Sequence, residues 1–210
     1  MNTAQLLRGA LAALMLTGLV VGWSIAGAMA GDGAARIAGA SVNESILYSG
    51  FGDSPDEIRE NVGLAIAPVP LDVDGLDLAK VGLGSYMVNA IGGCNECHTN
   101  PPYADGGDPF LGEPKQINAD HYLAGGNVFG PFVSRNITPI GPERLPAGFT
   151  YDVFSDVMRN GTDVRCAPGA PPPCPLLQVM PWPVLHHMSE RDLAAIYEFL
   201  RAIPYATPGS

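Results

Sequence analysis

Basic side chains are scarce in this chain. Its 210 residues include 11 lysines and arginines against 21 acids, which gives a formal net charge of −10. Nonspecific nucleic-acid binding needs a basic surface, so we expect no nucleic-acid partner. An acidic surface instead favours protein partners of matched charge. Charged residues of both signs make up only 15% of the chain and hydrophobic residues 47%, which excludes an intrinsically disordered protein.

The first thirty residues contain no acid and one basic side chain, Arg8. An apolar run over residues 10–28 follows, and Ala28-Met29-Ala30 has the small-x-small pattern of an export-signal cleavage site. Residues 1–30 are therefore predicted to be a signal peptide. Because the apolar stretch 9–30 is long enough to span a bilayer, a retained N-terminal membrane anchor is the alternative. Both interpretations place the rest of the chain outside the cytoplasm.

Only four cysteines occur: Cys94, Cys97, Cys166 and Cys174. In an oxidising compartment, each cysteine is expected to be bonded rather than to remain a free thiol. Cys94-Asn95-Glu96-Cys97-His98 has the C-x-x-C-H spacing of c-type haem attachment, in which two thiols add to the porphyrin vinyl groups and the histidine reaches the iron. One helical turn brings both sulfurs to the same edge of the macrocycle. We predict one covalent haem c on Cys94 and Cys97, with His98 as the proximal iron ligand.

Three other roles for Cys94 and Cys97 fit the sequence less well than haem attachment. A zinc site needs a second ligand pair, but the later cysteines are eight residues apart and no matching histidine pair accompanies them. A thioredoxin-type pair follows a strand, whereas a helix is predicted here. A disulfide between Cys94 and Cys97 would be strained. Since haem would use these two thiols, Cys166 and Cys174 are predicted to form a disulfide around a proline-rich loop, worth roughly 2–3 kcal/mol.

Apolar periodicity predicts a mainly α fold with long irregular loops. The first predicted helix covers residues 76–91, ends at Gly92-Gly93 and places these residues on one face: Leu76, Leu83, Met87, Val88 and Ile91. Residues 101–148 are rich in glycine, proline, asparagine and aspartate and are predicted to be loops. Residues 31–75 are interpreted as an N-terminal extension, with Asp53-Ser54-Pro55 as a turn or helix start.

Two further helices are predicted near the C-terminus. One runs from Tyr151 to Asn160, capped by Thr150 and stopped by Gly161. The other opens at Ser189 and ends before Pro204. Its apolar face consists of Leu193, Ile196, Tyr197 and Leu200.

The order of helix, CNECH, long loop, short helix, Met-Pro and terminal helix resembles a class I cytochrome c. The chain is most similar to single haem domains of the membrane-associated cytochrome subunits of periplasmic alcohol and sugar dehydrogenases. The likeness is carried by GLGSYMVNAIGGCNECHT (82–99), SRNITP (134–139) and MPWPVLHHMSERDLAAIYEFL (180–200), and it covers residues 76–204 as the cytochrome c domain. Those subunits have three haem motifs, whereas this chain has one. It also has one extra residue between Tyr86 and Cys94, which Gly92-Gly93 could absorb.

The resemblance implies a class I fold in which the first and last helices cross beside the haem. Gly84 provides a position without a side chain for that crossing, and Tyr86 or Tyr197 provides an aromatic ring for the groove. It also implies a periplasmic location and redox protein partners, such as a dehydrogenase or a terminal oxidase.

The sixth iron ligand has several candidates: Met158, Met180, Met188, His121, His186 and His187. Met158 lies in an amphipathic helix and is expected in the core. Met188 adjoins the cap of the last helix and is expected to act as a hydrophobic staple. Met180 precedes a proline in a loop and matches the Met-Pro ligand position of the family, so we predict Met180. A histidine ligand and an open iron site remain alternatives.

His/Met ligation leaves no free iron position for a substrate, so the predicted function is one-electron transfer rather than catalysis. One alternative is a haem subunit docked to a dehydrogenase or oxidase through residues 31–75. Another is a sensor or enzyme with an open iron. A carbonyl of Pro101 or Pro102 is expected to orient His98, and Trp182 to exclude water. Arg135 and Asn136 are expected to contact a haem propionate or the ligand loop, or to form a structural turn.

Overall fold

Helices dominate the computed structural model, which describes residues 36–37, 54–164 and 175–209. Of the described residues, 44% are helical and 10% are in strands, which confirms the predicted mainly α class. No helix among the described residues is long and apolar enough to cross a membrane. The predicted signal peptide or anchor, residues 1–30, and the predicted Cys166–Cys174 disulfide lie outside the described residues.

Six α-helices occur in the described ranges, joined by short turns and strands. They are α1 (Pro55–Ile66), α2 (Leu78–Tyr86), α3 (Cys94–His98), α4 (Tyr151–Asn160), α5 (Trp182–Leu185) and α6 (Glu190–Ala202). Six two-residue strands form three antiparallel pairs: β1 (Arg36–Ile37) with β2 (Leu71–Asp72), β3 (Val128–Phe129) with β4 (Phe132–Val133), and β5 (Pro139–Ile140) with β6 (Leu145–Pro146). The predicted loop region 101–148 therefore contains only short hairpins and 3₁₀ turns.

Helix α2 crosses α6 at Gly84, as predicted. A methyl group built on Gly84 would lie 1.9 Å from the carbonyl oxygen of Ala195 and 2.7 Å from Cβ of Phe199. Only a glycine allows this approach. The aromatic ring beside Gly84 belongs to the fully buried Phe199, whereas Tyr197 packs against Tyr151 and Phe154. The crossing was predictable from the missing side chain. Phe199 was not predicted as its aromatic neighbour, and a role of Tyr86 there stays a prediction.

The other face of α2 packs against α1, which lies within the predicted extension. A methyl group on Gly63 would lie 1.9 Å from the carbonyl oxygen of Gly82, so the two backbones are in contact. The hydroxyl of Ser85 donates to the carbonyl oxygen of Gly63 at 2.6 Å. Ser54 caps α1 in a capping box with Glu57, in agreement with the predicted helix start. Residues 55–66 are thus part of the packed helical layer.

A π-helical turn, Met87–Ile91, continues α2 towards α3. The amide of Gly92 donates to the carbonyl oxygen of Met87 at 2.7 Å, a bond that closes over five residues rather than four. A π-helical turn holds one more residue than an α-helical turn, and this one lies before the glycine pair at which the resemblance implied an extra residue. Ile91 is 63% exposed, because the wider turn moves it off the buried face that it was predicted to share with Leu83 and Val88.

Helices α4 and α6 have the predicted bounds. Gly161 ends α4 in the left-handed conformation, at φ 67°. Thr150 occupies the cap position of α4, but its side chain makes no capping hydrogen bond. Ser189 caps α6 by accepting from the amide of Asp192 at 3.1 Å. The predicted face of α6 is buried together with Ala195, Phe199 and Ala202, which extends the core along the whole helix.

Candidate haem-attachment site

Helix α3 is a short helix that contains the whole C-x-x-C-H motif. It begins after Gly93, whose φ of 57° turns the chain sharply out of the π-helical turn. Cys94 and Cys97 are both unpaired and half-buried on this helix. Burial raises the pKa of Cys94 to about 11, and it also raises the pKa of Cys97. Both side chains are therefore neutral thiols at neutral pH, unlike the low-pKa thiolates of thioredoxin-type pairs.

His98 is oriented by a backbone carbonyl of a distant loop. Its Nδ1 lies 2.8 Å from the carbonyl oxygen of Arg135. Because a carbonyl can only accept, Nδ1 holds the proton and Nε2 keeps its lone pair for a metal. Burial lowers the pKa of His98, which favours this neutral ring. A second group that fixes the tautomer in this way is a usual property of metal-ligating histidines.

The expected orientation of His98 by Pro101 or Pro102 is wrong. The carbonyl oxygen of Pro101 accepts from the side chain of Asn118 at 3.1 Å. That of Pro102 accepts from the side chain of Asn95, also at 3.1 Å. These two prolines instead hold the segment that follows α3 close to the motif. The carbonyl that does orient His98 could not be assigned from residue types, since every residue has one.

A loop over residues 123–127 supports the end of α3. The side chain of Asn127 donates to the carbonyl oxygens of Cys97 and Thr99, at 3.0 and 2.7 Å. The amide of Gly125 donates to the carbonyl oxygen of His98 at 2.6 Å. The hydroxyl of Thr99 accepts from the amide of Leu123 at 2.9 Å. Backbone groups that a short helix leaves unpaired at its end are thus satisfied. The sequence analysis missed this role of Asn127, and the adjacent Gly125-Gly126 pair was its only signal.

The outer side of α3 has its own contacts. The hydroxyl of Tyr103 donates to the carboxylate of Glu96, and the pKa of Tyr103 is raised to about 12, first by burial and then by this acceptor. Asn95 is buried, and its Oδ1 has no hydrogen-bond partner among the described residues. The two residues between the cysteines therefore anchor the helix and leave the thiols and the imidazole as its reactive groups.

In the SRNITP segment, Asn136 has a structural role. Its Oδ1 accepts from the amide and the hydroxyl of Thr138, at 2.8 and 2.6 Å, which closes a tight turn. Its Nδ2 donates to the carbonyl oxygen of Ala206 at 2.8 Å. The guanidinium of Arg135 pairs with Asp163, just after α4. For Asn136, these contacts match the structural turn that was one of the expectations.

Met180 lies in a bend immediately before α5, outside any helix, as predicted. Its side chain is half-buried and packs against the edge of the hydrophobic core, which Cys94 also borders. Its carbonyl oxygen accepts from the amide of Trp182 at 2.8 Å. The indole of Trp182 packs over Gly161 and donates to the carbonyl oxygen of Leu177 at 3.1 Å. Exclusion of water by Trp182 stays a prediction.

The other candidate ligands pack in or against the core, contact the backbone or lie at the surface. Met158 is buried in the core, as expected, and Met188 packs against that core ahead of α6. Nδ1 of His121 lies 2.8 Å from the carbonyl oxygen of Thr207, and Nδ1 of His186 lies 2.7 Å from that of Arg159. His187 is exposed and its ring packs edge-on against His186. His121 and His186 thus contact a backbone carbonyl through Nδ1 as His98 does, so this contact does not exclude them as ligands. Met180 lies outside any helix, at the predicted ligand position.

The residues of this site are compatible with a covalent haem. Two unpaired thiols lie one turn apart on α3, and the next residue is a neutral imidazole with a free Nε2. Met180 has a soft thioether, a donor of the kind that c-type haem iron takes, and its place as the sixth ligand stays a prediction. No cluster of three or more histidine, cysteine or acidic side chains suited to a bare metal ion occurs in the described ranges.

Comparisons of the chain with family models, curated proteins and solved structures found no match. The functional argument therefore depends on the geometry of α3 and its surroundings.

Proposed function

We propose that this chain is an exported monohaem c-type cytochrome of class I fold that carries single electrons between redox proteins. The observation that carries the proposal is on α3, where two unpaired thiols precede a histidine whose Nδ1 is held by the carbonyl oxygen of Arg135. This arrangement supports the proposal, because two thiols and a neutral imidazole with Nε2 available are the groups that covalent haem attachment needs on one helical turn.

Each residue has a defined task in this proposal. Cys94 and Cys97 would hold the haem covalently, His98 would bind its iron through Nε2, and Met180 would supply the sixth ligand. The bound haem would supply a one-electron iron couple. The carbonyl oxygen of Arg135 keeps the imidazole in place in both oxidation states, so that little reorganisation accompanies electron transfer. If His98 and Met180 both bound the iron, no iron position would remain for a substrate, and we propose no enzymatic activity.

The periplasm, redox protein partners such as a dehydrogenase or a terminal oxidase, and membrane association through the N-terminus belong to the same proposal. The docked-subunit alternative used residues 31–75 as a docking arm. Residues 55–66 within that range pack against α2, so an arm would have to be formed by the remaining residues.

Covalent attachment is the most direct test. Haem should stay with the purified polypeptide through acid-acetone extraction and denaturing electrophoresis. Replacing both Cys94 and Cys97 by serine should release it, because both thioether bonds are lost. Replacing the exposed Thr207, which lies outside the motif, by serine is the control, and that variant should keep the haem. Haem retained on the double serine variant would refute the proposal.

A further inference from the structure

Arg135 contacts His98 through its backbone and Asp163 through its side chain. Its carbonyl oxygen accepts from Nδ1 of His98 at 2.8 Å, and its guanidinium forms an ion pair with Asp163. The side chains of Arg135 and Asp163 are only 31% and 21% exposed. A pair shielded to this degree is less screened by solvent and salt than a surface pair, so it restrains its partners more effectively.

Asp163 lies where the chain leaves α4 and where it returns towards Met180. Its amide donates to the carbonyl oxygen of Pro175 at 3.0 Å. The preceding residue, Thr162, forms an antiparallel bridge with Leu176. The amide of Leu177 donates to the carbonyl oxygen of Gly161 at 2.8 Å. Residues 161–163 and 175–177 are therefore joined side by side, and movement of one segment moves the other.

From Leu177 the connection continues to Met180. The carbonyl oxygen of Leu177 accepts from the indole of Trp182 at 3.1 Å, and the backbone amide of Trp182 donates to the carbonyl oxygen of Met180 at 2.8 Å. The indole ring also covers Gly161 closely, since a methyl group built there would lie 2.4 Å from its nitrogen. Met180 thus lies in a bend whose two ends are both tied to residues 161–163.

We propose that Arg135 and Asp163 form a positioning pair that couples the loop orienting His98 to the segment that presents Met180. The pair acts by keeping the Met180 segment in a fixed relation to the carbonyl oxygen that orients His98. This inference rests on the proposed function, because it assigns the two segments to the two axial ligands of one iron.

The test uses the haem-loaded chain and the variant Asp163→Asn, which removes the charge and keeps a similar shape. The matched control is Glu198→Gln, because Glu198 pairs with Arg201 at 3.2 Å and its carboxylate is also 21% exposed. In Asp163→Asn, the amides of Leu177 and Trp182 should exchange hydrogen about tenfold faster, which corresponds to a loss of about 1.4 kcal/mol. Imidazole should also displace Met180 from the ferric iron about tenfold faster. The control should change both rates less than about twofold.

Equal rates in Asp163→Asn and Glu198→Gln would overturn the inference. If Asp163→Asn fails to fold, Arg135→Lys and Arg135→Gln replace it, since lysine keeps the charge and leaves the carbonyl oxygen available to His98. The lysine variant should then be closer to wild type than the glutamine variant, and equal rates in these two would overturn the inference. A wild-type protein without the far-red band of methionine bound to ferric iron would refute the proposed His/Met ligation itself. A protein with that band and unchanged rates in the variants would refute the positioning pair alone.

Discussion

Around His98, hydrogen bonds from one loop reach three consecutive carbonyl oxygens, whereas around Met180 they hold the flanking residues and leave most of the segment exposed. The carbonyl oxygens of residues 97–99 all accept from the loop of Gly125 and Asn127, and the imidazole is held by Arg135. Met180 is fixed through its carbonyl oxygen and through Leu177 and Trp182 on either side, and most of residues 175–190 are exposed. The difference teaches that the two predicted ligands differ in local stability, and that the methionine side should open first.

The largest effect is expected from Gly125→Ala, which breaks the well-connected side. Gly125 has φ +77°, and a methyl group there would lie 2.5 Å from the carbonyl carbon of Arg135. Backbone strain and this collision should together lower the free energy of unfolding by about 3 kcal/mol. Gly112→Ala is the control, because Gly112 also has a positive φ, +82°, but nothing lies within 4 Å of the added methyl group. Urea unfolding measures both, and equal losses would contradict the prediction.

A smaller loss is expected from Asn127→Ala. This variant removes both side-chain bonds to the end of α3 and leaves two carbonyl oxygens without that donor, which should lower the free energy of unfolding by about 2 kcal/mol. Asn118→Ala removes one bond at the surface, to Pro101, and should cost less than about 1 kcal/mol. The midpoints of urea unfolding should therefore separate the two asparagines. Similar midpoints for the two variants would show that Asn127 does not stabilise α3.

Met180→Ala should have less effect on stability than these variants, because the side chain is only half-buried. We expect a loss of about 1 kcal/mol from packing. In the haem-loaded protein, however, the far-red band should disappear, the reduction potential should fall and carbon monoxide should gain access to the iron. His186→Ala and Met188→Ala should change none of the three. An unaltered spectrum in Met180→Ala would move the sixth ligand elsewhere.

The smallest effect concerns a contact outside both ligand segments. Asp56 on α1 accepts from Arg191 on α6 at 2.6 Å, and this hydrogen bond holds the pKa of Asp56 below its ordinary value of 3.8. Because its folded-state pKa is depressed, the stabilisation is present above pH 3.8 and is lost as the pH falls through the lower folded-state value. Thermal unfolding of wild type and Asp56→Asn should differ slightly at neutral pH and converge at lower pH. A difference that grows on acidification would contradict this sign.

Local patterns predicted local structure well. The bounds of α4 and the cap of α6 follow from Gly161 and Ser189, because a positive φ and a side-chain acceptor are properties of single residues. The crossing at Gly84 was predictable for the same reason. The acceptor for His98 was not, since a backbone carbonyl oxygen is independent of residue type and Arg135 is distant in sequence. Ile91 was misplaced because a π-helical turn interrupts the period on which its assignment depended.

The close contacts on both faces of α2 have a consequence for the order of events during synthesis. The backbone of α1 packs at Gly82 and that of α6 at Gly84, and α6 is the last of the described helices to be synthesised. Cys94 and Cys97 are therefore made long before Leu193 and Phe199, which fill the core behind them. Until α6 packs, the face of α2 that contacts α6 stays exposed, and the core next to Cys94 is incomplete. In the proposed exported haem protein, the two thiols would be accessible for haem attachment until α6 packs.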